Sequence, residues 1–143
     1  MDLSSIYTEL IAEHNASTRN RRRLENPDAV MEGINPSCGD ELEIAVRIKD
    51  GVIEDAAYTG SGCAISQASA SMMTDLMRGK TLAEAHELVE TFLGMIRREI
   101  TDEERLYVLG EAAALAGIAE LPARVKCAVL AWHTLQGAIK EAK

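Results

Sequence analysis

The stretch 35–63, NPSCGDELEIAVRIKDGVIEDAAYTGSGC, does most to limit what this chain can become. Two strand-like runs flank Asp50-Gly51. Asp-Gly between such runs is the strongest short-range hairpin signal, a two-residue type I′ turn. A hairpin centred there pairs residues whose numbers sum to 101, and Cys38 and Cys63 also sum to 101. The fold-back therefore brings two thiols to one end of the ribbon, with Asp40 beside them. A fourth group would complete a tetrahedral metal site, and Cys127 is the one cysteine left to supply it.

The side-chain pattern supports the pairing. Leu42, Ile44, Val46 and Ile48 alternate with Glu41, Glu43, Ala45, Arg47 and Lys49, the period of a half-buried antiparallel strand. Arg47 is expected to face Glu54. On the return strand Ile53 is in phase with the apolar face, but Ala56 and Tyr58 are not. A bulge near residues 54–55 restores the phase and moves the register beyond it by one residue. Residues 30–34 supply a third strand, because a lone ribbon is marginal. Pro36 cannot donate to a ladder and Gly39 permits a tight turn, so Cys38 and Asp40 are expected on a loop.

Helices account for the rest. Leu3, Ile6, Tyr7, Leu10 and Ile11 recur at helical spacing, predicting an amphipathic helix over residues 3–14, capped by Asp2 or Ser4 and closed by a structural His14. Residues 15–28 read as a connection, with the basic run 19–23 as a solvated loop. Residues 64–78 form a helix rich in small residues, ended by Gly79, with Cys63 at its N-terminus. The positive end of the helix dipole there favours the thiolate. Thr81 and Glu84 make a capping box for a helix running to about residue 98. Residues 101–104 interrupt, and residues 106–118 are helical in part. Pro122 opens the last helix, with Val125, Val129, Trp132, Leu135 and Ile139 as its buried stripe and Arg124 and Cys127 on another face.

With 143 residues the chain is expected to make one α+β domain: a small antiparallel sheet with helices packed on it. Aromatics are only 3%, so the core must be aliphatic and alanine-rich. The net charge of -8 argues against a nucleic-acid partner. No apolar run reaches membrane-spanning length. The opening MDLSSIYTEL lacks the features of a signal peptide. Three cysteines spaced by 25 and 64 residues do not resemble a disulfide framework. Together these point to a reducing cytoplasmic compartment, with the cysteines kept for metal or catalysis.

Any one of these cysteines, taken alone, would suit a plain core position. Two of them lie in Gly/Ser-rich loops, however, and the hairpin brings them together. A Cys3Asp set would bind zinc or an iron–sulfur centre, since thiolates are soft donors. The aspartate is a less tenacious ligand than a thiolate, which suits exchange: a cysteine that leaves the metal to act as nucleophile, or a cluster built and handed on. Arg124, three residues from Cys127, could steer an anionic sulfur species.

The runs NPSCGD, GSGCAISQASASMM and LPARVKC resemble the three signature segments of the iron–sulfur cluster assembly scaffold family, the IscU/NifU N-terminal type. YTELIAEHNASTRN resembles its opening helix, with Thr18 where a proline is common. Lys126 stands where the IscU branch has a histidine, LPARVKC departs from that branch's chaperone motif, and the region 88–110 looks longer than that branch requires. These features resemble the SufU branch. The resemblance implies zinc held by Cys38, Asp40, Cys63 and Cys127. It also implies persulfide sulfur accepted on Cys38 from a PLP-dependent cysteine desulfurase of the SufS type, and dealings with other iron–sulfur assembly proteins. The alternative it leaves open is a scaffold on which a transient [2Fe–2S] cluster is assembled and transferred.

Overall fold

The computed structural model describes residues 3–37 and 39–142, with side chains from residue 9 onward. In chain order its elements are α1 (Leu3–Ala16), β1 (Ala29–Asn35), β2 (Asp40–Lys49), β3 (Val52–Ser61), α2 (Ala64–Met77), α3 (Leu82–Ile96), α4 (Glu103–Leu106), a 3-10 stretch (Tyr107–Glu120) and α5 (Pro122–Ala142). The strands form one antiparallel sheet in the order β1-β2-β3, with helices packed on it. Asp2, one of the two candidate caps of α1, lies outside the described residues; Ser4, the other, falls inside the helix.

Turn chemistry sets the register. Asp50 and Gly51 both take positive φ, 53° and 75°, as a type I′ turn requires. Lys49 pairs with Val52 and Ile48 with Ile53; the register then shifts, and Arg47 pairs with Asp55. Glu54 is the extra residue of the bulge. The shift puts Ile53, Ala56 and Tyr58 on the face that carries Leu42, Ile44 and Val46, where none is more than 2% exposed. Arg47 thus has Asp55, not Glu54, as its ladder partner, yet its Nε still reaches Glu54 Oε1 at 3.0 Å.

The second face of the sheet is not left wholly to water at its middle. Leu24 packs on Ala45 and Ala57 there. The connection 17–28 that carries Leu24 is consequently a strap rather than a solvated loop. Arg19 pairs with Asp75 at 2.6 Å, Arg22 pairs with Asp55 at 3.0 Å, and Asn20 is buried.

On the first face lie α2 and α5. Phe92 stacks on Trp132 at 4.0 Å between ring centroids, and the indole N–H donates to Ser69 Oγ at 2.9 Å. The buried stripe of α5 is broader than the aliphatic spacing predicts. It includes Cys127, Ala128, Ala131 and Ala138, while Val125 and Val129 sit at its margin. Small side chains let α5 approach closely, so Cys127 belongs to the core-facing side. Residues 107–120 wind as a 3-10 helix broken at Gly110, whose φ of 57° and ψ of -134° no helix accepts. The capping box at Thr81 and Glu84 is formed as expected. Among the described residues, no helix is long and apolar enough to cross a membrane.

Close approach is enforced where β1 meets α5. A Cβ on Gly33 would collide with Thr134 Oγ1 and stand 3.1 Å from Leu130 Cδ1. Gly33→Ala should therefore destabilise the fold by about 2 kcal/mol, the usual cost of overpacking. Adding Thr134→Ala should restore part of it. Urea unfolding of the single and double variants checks both signs.

Candidate metal centre

Three element ends converge at the upper end of the sheet. Asp40 opens β2 instead of lying in the loop before it, because it pairs with Asn35 on the last rung of the β1–β2 ladder. Cys63 is the N-cap residue of α2, with φ -73° and ψ 167°. Cys127 is fully buried on α5. A carboxylate oxygen of Asp40 and the two sulfurs all lie within 4.8 Å of one another. Ligands of a tetrahedral zinc ion sit about 3.5–4 Å apart, which this separation accommodates.

The carboxylate is held on one side only. Asp40 Oδ1 accepts the backbone N–H of Cys63 at 2.9 Å and the hydroxyl of Ser66 at 3.2 Å. It thus caps α2 from outside the helix, where the side chain of Cys63 makes no cap hydrogen bond. Oδ2 is buried and has no hydrogen-bond partner. A buried carboxylate oxygen without a donor costs a few kcal/mol, and a cation bound there would remove that cost. The donor set, two thiols and one carboxylate, fits zinc or an iron–sulfur centre better than a hard cation such as magnesium. Gly62 leaves no slack behind this carboxylate: a Cβ on it would collide with Asp40 Oδ1 and lie 2.6 Å from Ser66 Oγ.

Of the residues singled out from sequence, Asp40, Cys63 and Cys127 are brought together. Cys38 lies outside the described residues. Arg124 is exposed in the first turn of α5, its backbone N–H donating to Leu121 O at 2.8 Å, whereas Cys127 is buried. Three residues escaped the sequence reading. Ser66 carried a faint signal, a hydroxyl three places after a helix start. Gly62 looked like one of several strand-ending glycines. Asn35, which is 6% exposed with an unpartnered Nδ2, carried none, since its place depends on the ladder.

A second group of potential ligand atoms, His14, Asp75 and Glu111, has comparable mutual distances. Its atoms are already engaged with protein partners. His14 Nδ1 meets Ser71 Oγ at 2.7 Å and Nε2 meets Glu111 Oε1 at 3.0 Å. Asp75 already accepts from Arg19, Asn20 and Arg78, and two guanidinium groups repel a cation. His14 is held by side chains rather than by helix carbonyls.

The model of the NifU-like N-terminal domain matches residues 6–143. The chain is similar to an iron–sulfur cluster assembly scaffold protein IscU of Streptococcus pyogenes, 40% identical, covering 96% of this chain and 85% of that one. It is also similar to the zinc-dependent sulfurtransferase SufU of Bacillus subtilis, 37% identical, covering 98% and 94%. A crystal structure from Fervidobacterium islandicum, assigned to scaffolding of iron–sulfur cluster assembly for the SUF system, superposes with a TM-score of 0.87 at 36% identity, covering 94% and 97%.

Proposed function

The chain belongs to the NifU-like N-terminal domain family, and on that premise we propose that it relays sulfur into iron–sulfur cluster assembly. In this reading it is a zinc-dependent sulfurtransferase that accepts persulfide sulfur from a PLP-dependent cysteine desulfurase of the SufS type. The observation that carries it is the half-held carboxylate of Asp40, its buried Oδ2 left for the ion beside the sulfurs of Cys63 and Cys127. The name of the Bacillus subtilis relative supports zinc and sulfur transfer.

Asp40, Cys63 and Cys127, together with Cys38, would hold the ion. Bound zinc would stabilise thiolate charge. The Cys38 thiolate attacks the outer sulfur of the donor persulfide. A new S–S bond forms at Cys38, the donor S–S bond breaks, and the donor cysteine leaves as a thiolate. The sulfur moves without an external oxidant or reductant. Arg124 supplies positive charge at the exposed start of α5, where an anionic sulfur species would approach. In this reading the work is done in the cytoplasm, where thiols stay reduced.

The test is intact-mass analysis of the zinc-loaded chain after incubation with a cysteine desulfurase and free cysteine, without reductant. The expected result is one added sulfur atom mapped to Cys38, and none in Cys38→Ser. A Cys38→Ser chain that still relieved the desulfurase of sulfur would refute the relay. The second reading, a scaffold for a transient [2Fe–2S] cluster, is favoured by the scaffold names of the IscU relatives. Anaerobic iron and sulfide reconstitution yielding a transferable cluster on the same ligands would establish it.

A further inference from the structure

The orphaned amide of Asn35 stands beside the ligand group without a partner of its own. Asn35 and Asp40 are directly opposed on the last rung of the β1–β2 ladder. Directly opposed residues put their side chains on the same face of a sheet, with Cβ atoms about 4.5–5.5 Å apart. Both are buried on the core face, at 6% and 0% exposure. Asn35 Nδ2 has no acceptor, and Asp40 Oδ2 has no donor. An amide N–H buried without an acceptor is costly. Other orphaned buried atoms include Arg21 Nε and Tyr58 Oη, and there the guanidinium lies 5.9 Å from the ring of Tyr58 instead of near a ligand atom.

Charge explains what such a donor is for. Two thiolates and a carboxylate around a divalent ion leave a net negative charge in a buried place, and a third thiolate would deepen it. Donors that point at ligand atoms spread that charge and fix the ligands, and they are worth much of a site's affinity. Ser66 and the Cys63 N–H already serve Asp40 Oδ1. The amide of Asn35 is an unused donor on the residue directly opposite Asp40 in the ladder.

We infer that Asn35 is a positioning residue of the metal centre, its Nδ2–H group hydrogen-bonding a thiolate sulfur or carboxylate oxygen of the loaded site. The inference rests on the metal reading proposed above. It gives the asparagine of NPSCGD a role separate from turn formation. Removing the donor lowers affinity for a thiophilic divalent ion and changes the electron density on the ligands, without removing a ligand.

The experiment compares the full chain with Asn35→Ala, Asn35→Asp and Asn35→Ser. Zinc affinity is measured by competition with a chromophoric chelator, and the thiolate-to-metal charge-transfer band by cobalt(II) substitution. The expected result is a loss of zinc affinity of about 10–100-fold in the alanine variant, with a displaced cobalt band. Asn35→Asp, nearly isosteric but without the donor and with added negative charge, should lose at least as much. Asn35→Ser, which keeps an O–H donor, should recover part of the loss. Unchanged zinc affinity and an unchanged cobalt band in Asn35→Ala would overturn the inference. So would equal losses of thermal stability with and without zinc, the mark of a turn residue. Should the alanine variant not fold, the serine and aspartate pair decides on the same two readouts. A wild-type chain that bound neither ion would overturn the metal reading and this inference together, which separates the two failures.

Discussion

Gly62→Ala is expected to lower zinc affinity on the order of 100-fold while leaving all three candidate cysteines in place. The methyl group has nowhere to go. It would collide with Asp40 Oδ1, stand 3.0 Å from Asp40 Cγ and lie 2.6 Å from Ser66 Oγ. Asp40 is fully buried, so its carboxylate cannot swing into water to make room. Moving it breaks the hydrogen bonds from the Cys63 N–H and the Ser66 hydroxyl, and α2 loses its outside cap. The chain without metal should lose about 2 kcal/mol, in the range for overpacking a filled site. Chelator competition reads the first effect and urea unfolding in the presence of chelator reads the second. Gly62→Ala with wild-type zinc affinity would mean that Asp40 does not ligate through the geometry described above.

Arg78→Ala should be the most damaging change away from that site. One guanidinium serves four acceptors on three segments. Nε donates to Asp55 at 2.8 Å and Nη1 to Asp75 at 3.1 Å, while Nη2 donates to Ala56 O at 2.8 Å and to Asn20 Oδ1. It sits at the C-terminal end of α2 and ties that end to β3 and to the strap 17–28. Without it Asp55 keeps Arg22, and Asp75 keeps Arg19 and Asn20, but each partly buried carboxylate loses a donor. A loss of about 3 kcal/mol follows from leaving such groups short of partners. For a chain of this size that lowers Tm by about 10 °C.

The same network predicts the pH dependence. Burial pushes the Asp55 carboxyl up, but the hydrogen bonds from Arg78 and Arg22 outweigh it and hold the group below its ordinary value of 3.8. Asp75 behaves likewise: burial raises it, and hydrogen bonds from Arg19 and Asn20 bring it below 3.8. A carboxyl depressed in the folded state contributes stability that is present above its unfolded pKa and lost as pH falls through its folded one. The gap between wild type and Arg78→Ala should therefore be full at neutral pH and narrow below about pH 4. Denaturant unfolding at a series of pH values measures it. A gap that widened on acidification would remove these carboxylates from the explanation.

The hairpin, the third strand, the helix starts at Cys63, Thr81 and Pro122, and the bulge near Glu54 were all legible in the chain, because each depends on residues close in sequence. Asp-Gly dictates a turn whatever surrounds it. Alternation then reveals the bulge, since Ile53, Ala56 and Tyr58 cannot share one face without it. The nearness of Asp40 and Cys63 was legible for the same reason: a hairpin of known centre says which distant residues meet, whereas Cys127 was reached only as the cysteine that remained. Misreadings came where a partner far along the chain decided the matter. The arginines at 19 and 22 look solvated until Asp75 and Asp55 are placed beside them. Cys127 looks like the occupant of a second helix face until small residues let α5 press against the sheet.

The sequence alone determined that Asp40 and Cys63 end up at one end of a three-stranded sheet, because turn type and period-2 patterning are short-range steric facts. Tertiary structure alone decided how that carboxylate is held. Oδ1 is tied to α2, Oδ2 is left without a donor, Gly62 closes the space behind, and the amide of Asn35 waits on the same rung. Hydrogen-bond satisfaction and excluded volume are properties of atoms brought together from four separate segments, and no local pattern in the chain encodes them.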